Sequence, residues 1–275
     1  MAKRENDADR YVVRQSAQHL FHRCSNASSG FGDVDGTEEG SHLPLRPRFI
    51  QPFSRTFPEV QQTAELSGWD NVRSSETGVR IVLASASETR ARVLAAAGIP
   101  FEQDAADIDE GIIKRDCRQR GTSAEQAALA LAESKAQTVV ARHPGALVIG
   151  ADQLLVSGSD WLDKPATPEQ ARQTLRKLRA RRHQLVSGMV VVRDSSSLCR
   201  HVEVAELTMR DYSDRFIDWY IETAADADLQ VVGASRLDGL GAQAFAEIQG
   251  DYFTILGLPL LRLLDVLRRE AVLID

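Results

Sequence analysis

The pattern of apolar and polar positions changes character near residue 78. Residues 1–77 hold no sustained period of two or of 3.6. They are broken by Ser-Asn-Ala-Ser-Ser-Gly at 25–30, by Gly-Asp-Val-Asp-Gly at 32–36, and by Pro44, Pro47, Pro52 and Pro58. Such a stretch buries too little apolar surface to offset its ordering entropy, which predicts a disordered extension with no catalytic part. From Arg80 onward the pattern is regular. Ile81-Val82-Leu83-Ala84 reads as a short buried strand. Ser85-Ala86-Ser87 then leads into a helix through about Ala97, with Gly98 and Pro100 as stop signals.

A second helix is predicted from Ser123 to about Arg142, opened by a capping box between Ser123 and Gln126. Residues 146–149 form another apolar strand. Thr167-Pro168-Glu169-Gln170 starts a third helix with proline at its first position, and Arg179 to Arg182 would fill its last turn. Two β segments follow at about 184–193 and 198–209, joined as a hairpin through 194–197, with facing that is not clean in the second. Ser213 caps a helix carrying Phe216, Ile217, Tyr220 and Ile221. A short β-rich stretch is predicted at 252–256, and a helix from Pro259 to about Glu270. Alternating strands and helices predict an α/β domain over 78–275, with a mixed sheet flanked by helices.

Composition narrows the classes without changing this outline. The 275 residues are 43% hydrophobic and 26% charged, as in ordinary globular proteins. A net charge of -6 argues against a nucleic-acid binder, which leaves a basic footprint. Cys24, Cys117 and Cys199 are odd in number and lack metal-site spacing, which suits a reducing interior. No apolar run approaches the ~20 residues of a membrane span, and the first thirty residues lack a signal-peptide core. A cytoplasmic protein with no membrane or nucleic-acid partner is the expectation.

Several residues could carry chemistry. After the strand at 81–84, Ser85 and Ser87 add hydroxyls at a helix N-terminus, and Arg90 adds a planar cation one turn in, a combination suited to phosphate. The plainer reading makes one serine a cap and leaves Arg90 solvated. Asp107-Ile108-Asp109-Glu110 gathers carboxylates in a presumed loop, where they could hold Mg²⁺ or form a solvated turn. Lys135 shares a helical stripe with Leu131 and Val139, so its ammonium either snorkels or enters a cleft. Asp152, in Gly150-Ala151-Asp152-Gln153, lies at the end of an apolar strand, where α/β sheets bind ligands, and suits a metal ligand or a base for water. Lys164, in Asp163-Lys164-Pro165, has its direction fixed by the proline. His183 reads as structural.

Taken in order, these pieces resemble the Maf family of nucleotide pyrophosphatases over about 78–270. They are LASASETR (83–90), DIDE (107–110), LALAESKA with Lys135, VIGADQ (148–153), DKP (163–165), LDGLGAQ (237–243) and IQGDYFTILGLPL (248–260). The resemblance implies a Maf/ITPase-like α/β fold, an elongated mixed sheet with two lobes around a central cleft, commonly as a homodimer. It also implies Mg²⁺- or Mn²⁺-dependent cleavage of a nucleoside triphosphate between the α and β phosphates. By the same resemblance Asp152 is the proton acceptor, while Ser85, Ser87, Arg90, Lys135 and Lys164 handle phosphate. Glu110 joins Asp152 at the metal. The chain carries Glu88-Thr89 where the family often has Pro-Arg. Members acting on dTTP and UTP carry threonine at the position of Gln153 and Ile-Gln-Gly at 237–239. Gln153 and Asp238 stand nearer the branch that hydrolyses 7-methyl-GTP, and both base preferences stay open. A nucleotide-binding regulator of septum formation without turnover is the alternative, and a nucleotidyltransferase is a second rival for which no acceptor pocket is legible.

Overall fold

Residues 78–274 are described in the computed structural model; the extension read at 1–77 lies outside them. Strand β1 (Ile81–Leu83) delivers the chain to helix α1 (Glu88–Ala96), which Ser87 caps by accepting the Arg90 N–H. Gly98 stops this helix at φ +70°, a conformation that disfavours a β-carbon. After β2 (Glu102–Gln103) comes a helix that the sequence reading had as a loop. This is α2 (Glu110–Gln119), and Asp109 is its N-cap, accepting the Ile112 N–H. Its buried face amounts to Cys117, so it leaves no apolar stripe to recognise.

Helix α3 (Ala124–Val140) has the predicted capping box, with the Ser123 and Gln126 side chains each bonded to the other's backbone. Strand β3 (Leu147–Ser157) is eleven residues long, against the four predicted. Asp152 therefore lies in mid-strand and not at a strand end. Strand β4 (Asp160–Leu162) returns along it, and α4 (Pro168–Leu178) starts at Thr167 as predicted. Arg179 is the C-cap of α4 and Arg182 already belongs to the next strand, so only Arg176 and Lys177 occupy its last turn.

Strands β5 (Arg182–Arg193) and β6 (Ser196–Met209) form the expected hairpin, and Ser213 caps α5 (Asp214–Thr223). A short helix α6 (Asp226–Leu229) and two 3₁₀ turns lead to strand β7 (Phe245–Gln249). The β-rich stretch expected at 252–256 is instead helix α7 (Tyr252–Ile255). Tyr, Phe, Thr and Ile favour strands, but Asp251 accepts the Thr254 N–H and turns the segment helical. Helix α8 (Leu260–Arg269) closes the domain. Among the described residues no helix is long and apolar enough to cross a membrane.

The strands make one mixed sheet in the order β2-β1-β3-β5-β6-β7, with β4 also on β3. Neighbours β2 and β3 run parallel to β1, and the other pairs are antiparallel. Helix α3 covers one face. On the other, two core clusters sit side by side: one gathers Val93, Leu94, Leu263 and Leu267 from α1 and α8, the other Leu175, Leu178, Ile217 and Tyr220 from α4 and α5.

Two glycines let α3 lie directly on the sheet. A β-carbon on Gly150 would sit 2.1 Å from the Ala132 carbonyl oxygen, and one on Gly188 would sit 2.6 Å from that of Ala128. Gly150→Ala must push the helix off, and we expect a loss of about 1–3 kcal/mol together with reduced turnover. Denaturant unfolding and a rate measurement check both; a stable, active variant would show that the approach is not needed.

The far end of α3 is tied to the segment after β2. Arg142 donates to Asp104 at 2.8 and 3.0 Å, and His143 Nε2 lies 2.8 Å from it. These hydrogen bonds, Arg142's first, hold the Asp104 carboxyl down to about 2. Because the folded value is the lower one, the stabilisation is present above the ordinary value of 3.8 and is lost as pH falls through about 2. Asp104→Asn should therefore melt earlier than the unmutated protein at pH 5 to 7, and the difference should vanish near pH 2.

Candidate active site

Strand β3 has a gap along one edge. Strand β5 pairs with it from Leu147 to Val156, while on the other side β1 pairs only with Leu147 to Ile149 and β4 only with Leu155 to Ser157. Residues 150–154 thus have no strand beside them on that edge. Consecutive strand residues point to opposite faces. Asp152 accordingly points to the α3 face, where it meets Lys135, and Gln153 points to the other, where it meets Ser187. A cavity of about 490 Å³ opens at the gap and is lined from both faces.

On the α3 side the site is ionic. The glycine contacts bring Lys135 close enough for its ammonium to reach Asp152 Oδ1 at 2.5 Å and Glu110 Oε1 at 2.7 Å. Lys135 and Asp152 are buried, at 7% and 5% exposure, so the ammonium has entered the cleft and does not snorkel to solvent. Burial opposes ionisation of Glu110, yet the Lys135 charge and hydrogen bond, helped by Lys114 and Lys164, hold its pKa below the usual value. Lys114, on the unforeseen helix α2, also lines the cavity and pairs with Asp163 at 2.9 Å.

Arg90 is buried and anchored at both ends of its guanidinium. Its Nε donates to the Gly257 carbonyl at 2.7 Å and its Nη1 to Ser85 Oγ at 3.0 Å. Burial lowers its pKa, while Asp152 and Glu110 pull the other way. Lys164 projects from the loop after β4, open to water on the outer side of the cavity. Its pKa is lowered first by the protein around its ammonium and then by Arg90, against the pull of Glu110 and Asp152. Among the described residues it makes no ion pair, so its charge is not already neutralised by a carboxylate. Ser85 and Ser87 both line the cavity, and Ser87 is also the α1 cap that the plainer reading proposed.

Across the sheet the lining turns apolar, with Leu155, Leu185, Leu207, Phe245 and Ile255. Its polar groups are few. Gln153 Nε2 donates to Ser187 Oγ and the Thr254 carbonyl, both at 2.9 Å, and lies 3.2 Å from the Ile255 carbonyl. Asp238 stands at the cavity wall between Arg92 and Arg236, and Arg236 also binds Asp228 at 3.0 Å. Burial opposes the Asp238 charge, but the Arg236 hydrogen bonds, the charges of Arg236 and Arg92 and a backbone hydrogen bond together hold the carboxyl below its ordinary range. His183, read as structural, lines the cavity. Burial, against the pull of the Arg181 carbonyl, pushes its pKa down to about 4, so it is neutral at pH 7.

The nine residues placed at the site by the resemblance therefore line one cavity, whereas Asp107 and Asp109 of the acidic run do not, Asp109 serving as the cap of α2. Lys114, His183 and Arg236 were missed as parts of the cavity, as was Ser187, which lies behind the lining and holds Gln153. Their partners lie tens of residues away along the chain, and only the period-two alternation of 183, 185 and 187 hinted at a shared face.

Known proteins agree in part with this picture. The family described as Maf-like protein matches residues 80–270. A protein of Paramagnetospirillum magneticum named nucleoside triphosphate pyrophosphatase is 48% identical over 193 residues, covering 70% of this chain and all of that one. A Rhodospirillum rubrum protein of the same name is 45% identical, covering 71% of this chain and 96% of its own. A Brucella abortus protein named 7-methyl-GTP pyrophosphatase is 47% identical, covering 70% of this chain and 96% of its own.

Proposed function

The chain belongs to the Maf family, and from that premise we propose that it hydrolyses nucleoside triphosphates between the α and β phosphates. The products are a nucleoside monophosphate and pyrophosphate. One observation carries the reading: a single cavity joins a cluster of cations and carboxylates to an apolar chamber with a few fixed polar groups. The first suits a triphosphate and the second a base.

In this reading Arg90, Lys135 and Lys164 offset the phosphate charge, aided by the N-terminus of α1. Asp152 orients the attacking water and takes its proton. Charge stabilisation and alignment do most of the work in phosphoryl transfer, so no covalent intermediate is called for.

Glu110 and Asp152 also suit Mg²⁺ or Mn²⁺. Both bring hard carboxylate oxygens to one point, now bridged by Lys135. Among the described residues no group of three or more His, Cys, Asp or Glu gathers to hold an ion. Mg²⁺ needs no such cage, because one or two carboxylates with substrate phosphates and waters complete its shell. Bound there, the ion would neutralise charge developing on the phosphates.

Gln153 and Asp238 lie on the base side, and with them we propose a guanine-type base such as 7-methylguanine ahead of thymine or uracil. Action as a cytoplasmic homodimer belongs to the same reading. Incubation with GTP, 7-methyl-GTP, UTP and dTTP, followed by separation of products, tests it. Monophosphate and pyrophosphate in equal amounts are expected. Diphosphate with orthophosphate, or binding without turnover, would overturn the reaction.

A further inference from the structure

The contacts of Gln153 restrict what it can offer a ligand. Its Nε2 faces two carbonyl oxygens, of Thr254 and Ile255, and carbonyls only accept. The amide nitrogen must therefore be the atom turned to the wall. Its third neighbour is Ser187, which is fully buried. The Ser187 hydroxyl donates its one proton to the Thr254 carbonyl at 2.9 Å and so meets the Gln153 amide with a lone pair, also at 2.9 Å. Both amide protons of Gln153 are thus engaged by β5 and α7, and the carbonyl Oε1 is what remains for the cavity.

We propose that Ser187 is a positioning residue that fixes Gln153 as a hydrogen-bond acceptor toward the base, so that the nucleotide taken presents an N–H group there. This rests on the reading above that Gln153 meets the base. The geometry excludes the opposite role for Gln153, donation to a base carbonyl or ring nitrogen, without first breaking its contacts with the wall. A guanine-type base meets the requirement with the N–H groups of its Watson–Crick edge.

Removing the hydroxyl should leave nothing buried and unpaired. In Ser187→Ala the Gln153 amide keeps both carbonyls, and the Thr254 carbonyl keeps the amide. The variant should fold but hold the Gln153 amide less firmly, with two acceptors at the wall in place of three. We expect KM for the preferred nucleotide to rise about tenfold, the worth of one buried hydrogen bond, with kcat nearly unchanged. The spread of kcat/KM across GTP, 7-methyl-GTP, UTP and dTTP should narrow, and Ser187→Thr, which keeps the hydroxyl, should restore it.

Gln153→Ala separates the two layers of the argument. If it leaves the spread as in the unmutated protein, the base-contact reading fails. If it narrows the spread while Ser187→Ala does not, the positioning role of Ser187 fails. Exchange of the Gln153 side-chain amide protons in the unmutated protein, followed by NMR, needs no variant. Protection both free and with GTP bound is expected, and fast exchange in either state would overturn the proposal.

Discussion

Asp152→Asn should lower kcat for pyrophosphate release by about a thousandfold, the middle of the range for loss of a general base, while the protein still folds and binds nucleotide. The substitution keeps the side chain's shape and removes its charge and basicity. Lys135 retains Glu110 at 2.7 Å, so the buried ammonium is not left without a carboxylate. Nucleotide affinity should hold or tighten, because one negative charge has been taken from beside the phosphates. That split distinguishes a catalytic Asp152 from a structural one. Turnover near that of the unmutated protein would end the assignment.

Lys135→Met should have the opposite profile, with its largest effect on the folded state. It leaves Asp152 buried and faced by Glu110, two like charges across the space the ammonium held. Breaking a buried pair from one side costs roughly 3–5 kcal/mol. Glu110 is half exposed and can turn to water, so we expect about 3 kcal/mol. A divalent cation can replace the ammonium between the same oxygens. Mg²⁺ or Mn²⁺ should therefore raise the thermal midpoint of the variant more than that of the unmutated protein. Equal responses to metal would show that the two carboxylates do not converge on one ion.

Much of the fold was legible because short-range signals mark where elements begin and stop. Ser87, Ser123, Thr167 and Ser213 each cap the helix they announce. The misreadings have particular causes. Gly150 and Asp152 looked like the end of a strand because one lacks a side chain and the other is charged, yet both answer to α3. The glycine makes room for a helix carbonyl, and the aspartate is matched by a lysine from the same helix. Helix α2 hid because its contribution is largely ionic, through Glu110 and Lys114, with little more than Cys117 buried.

The candidate site divides along a similar line. Its charged members stood out through an ordered resemblance along the chain. The groups that hold these and Gln153 are backbone carbonyls at 254, 255 and 257, or side chains recruited across distances such as Ser187 to Gln153 and Arg92 to Asp238. A carbonyl carries no residue identity, so no sequence pattern could have reported it.

The gap in the edge of β3 bears on how such an enzyme changes its diet. Cutting is assigned to Asp152 and reading to Gln153, neighbours in the chain that the sheet holds on opposite faces. A mutation library built to shift nucleotide preference would therefore be placed at the odd-numbered positions 153, 155, 183, 185 and 187. The even-numbered positions 150, 152 and 188 would be left alone. Substrate range could then drift, in the laboratory or over generations, without disturbing the machinery that breaks the bond.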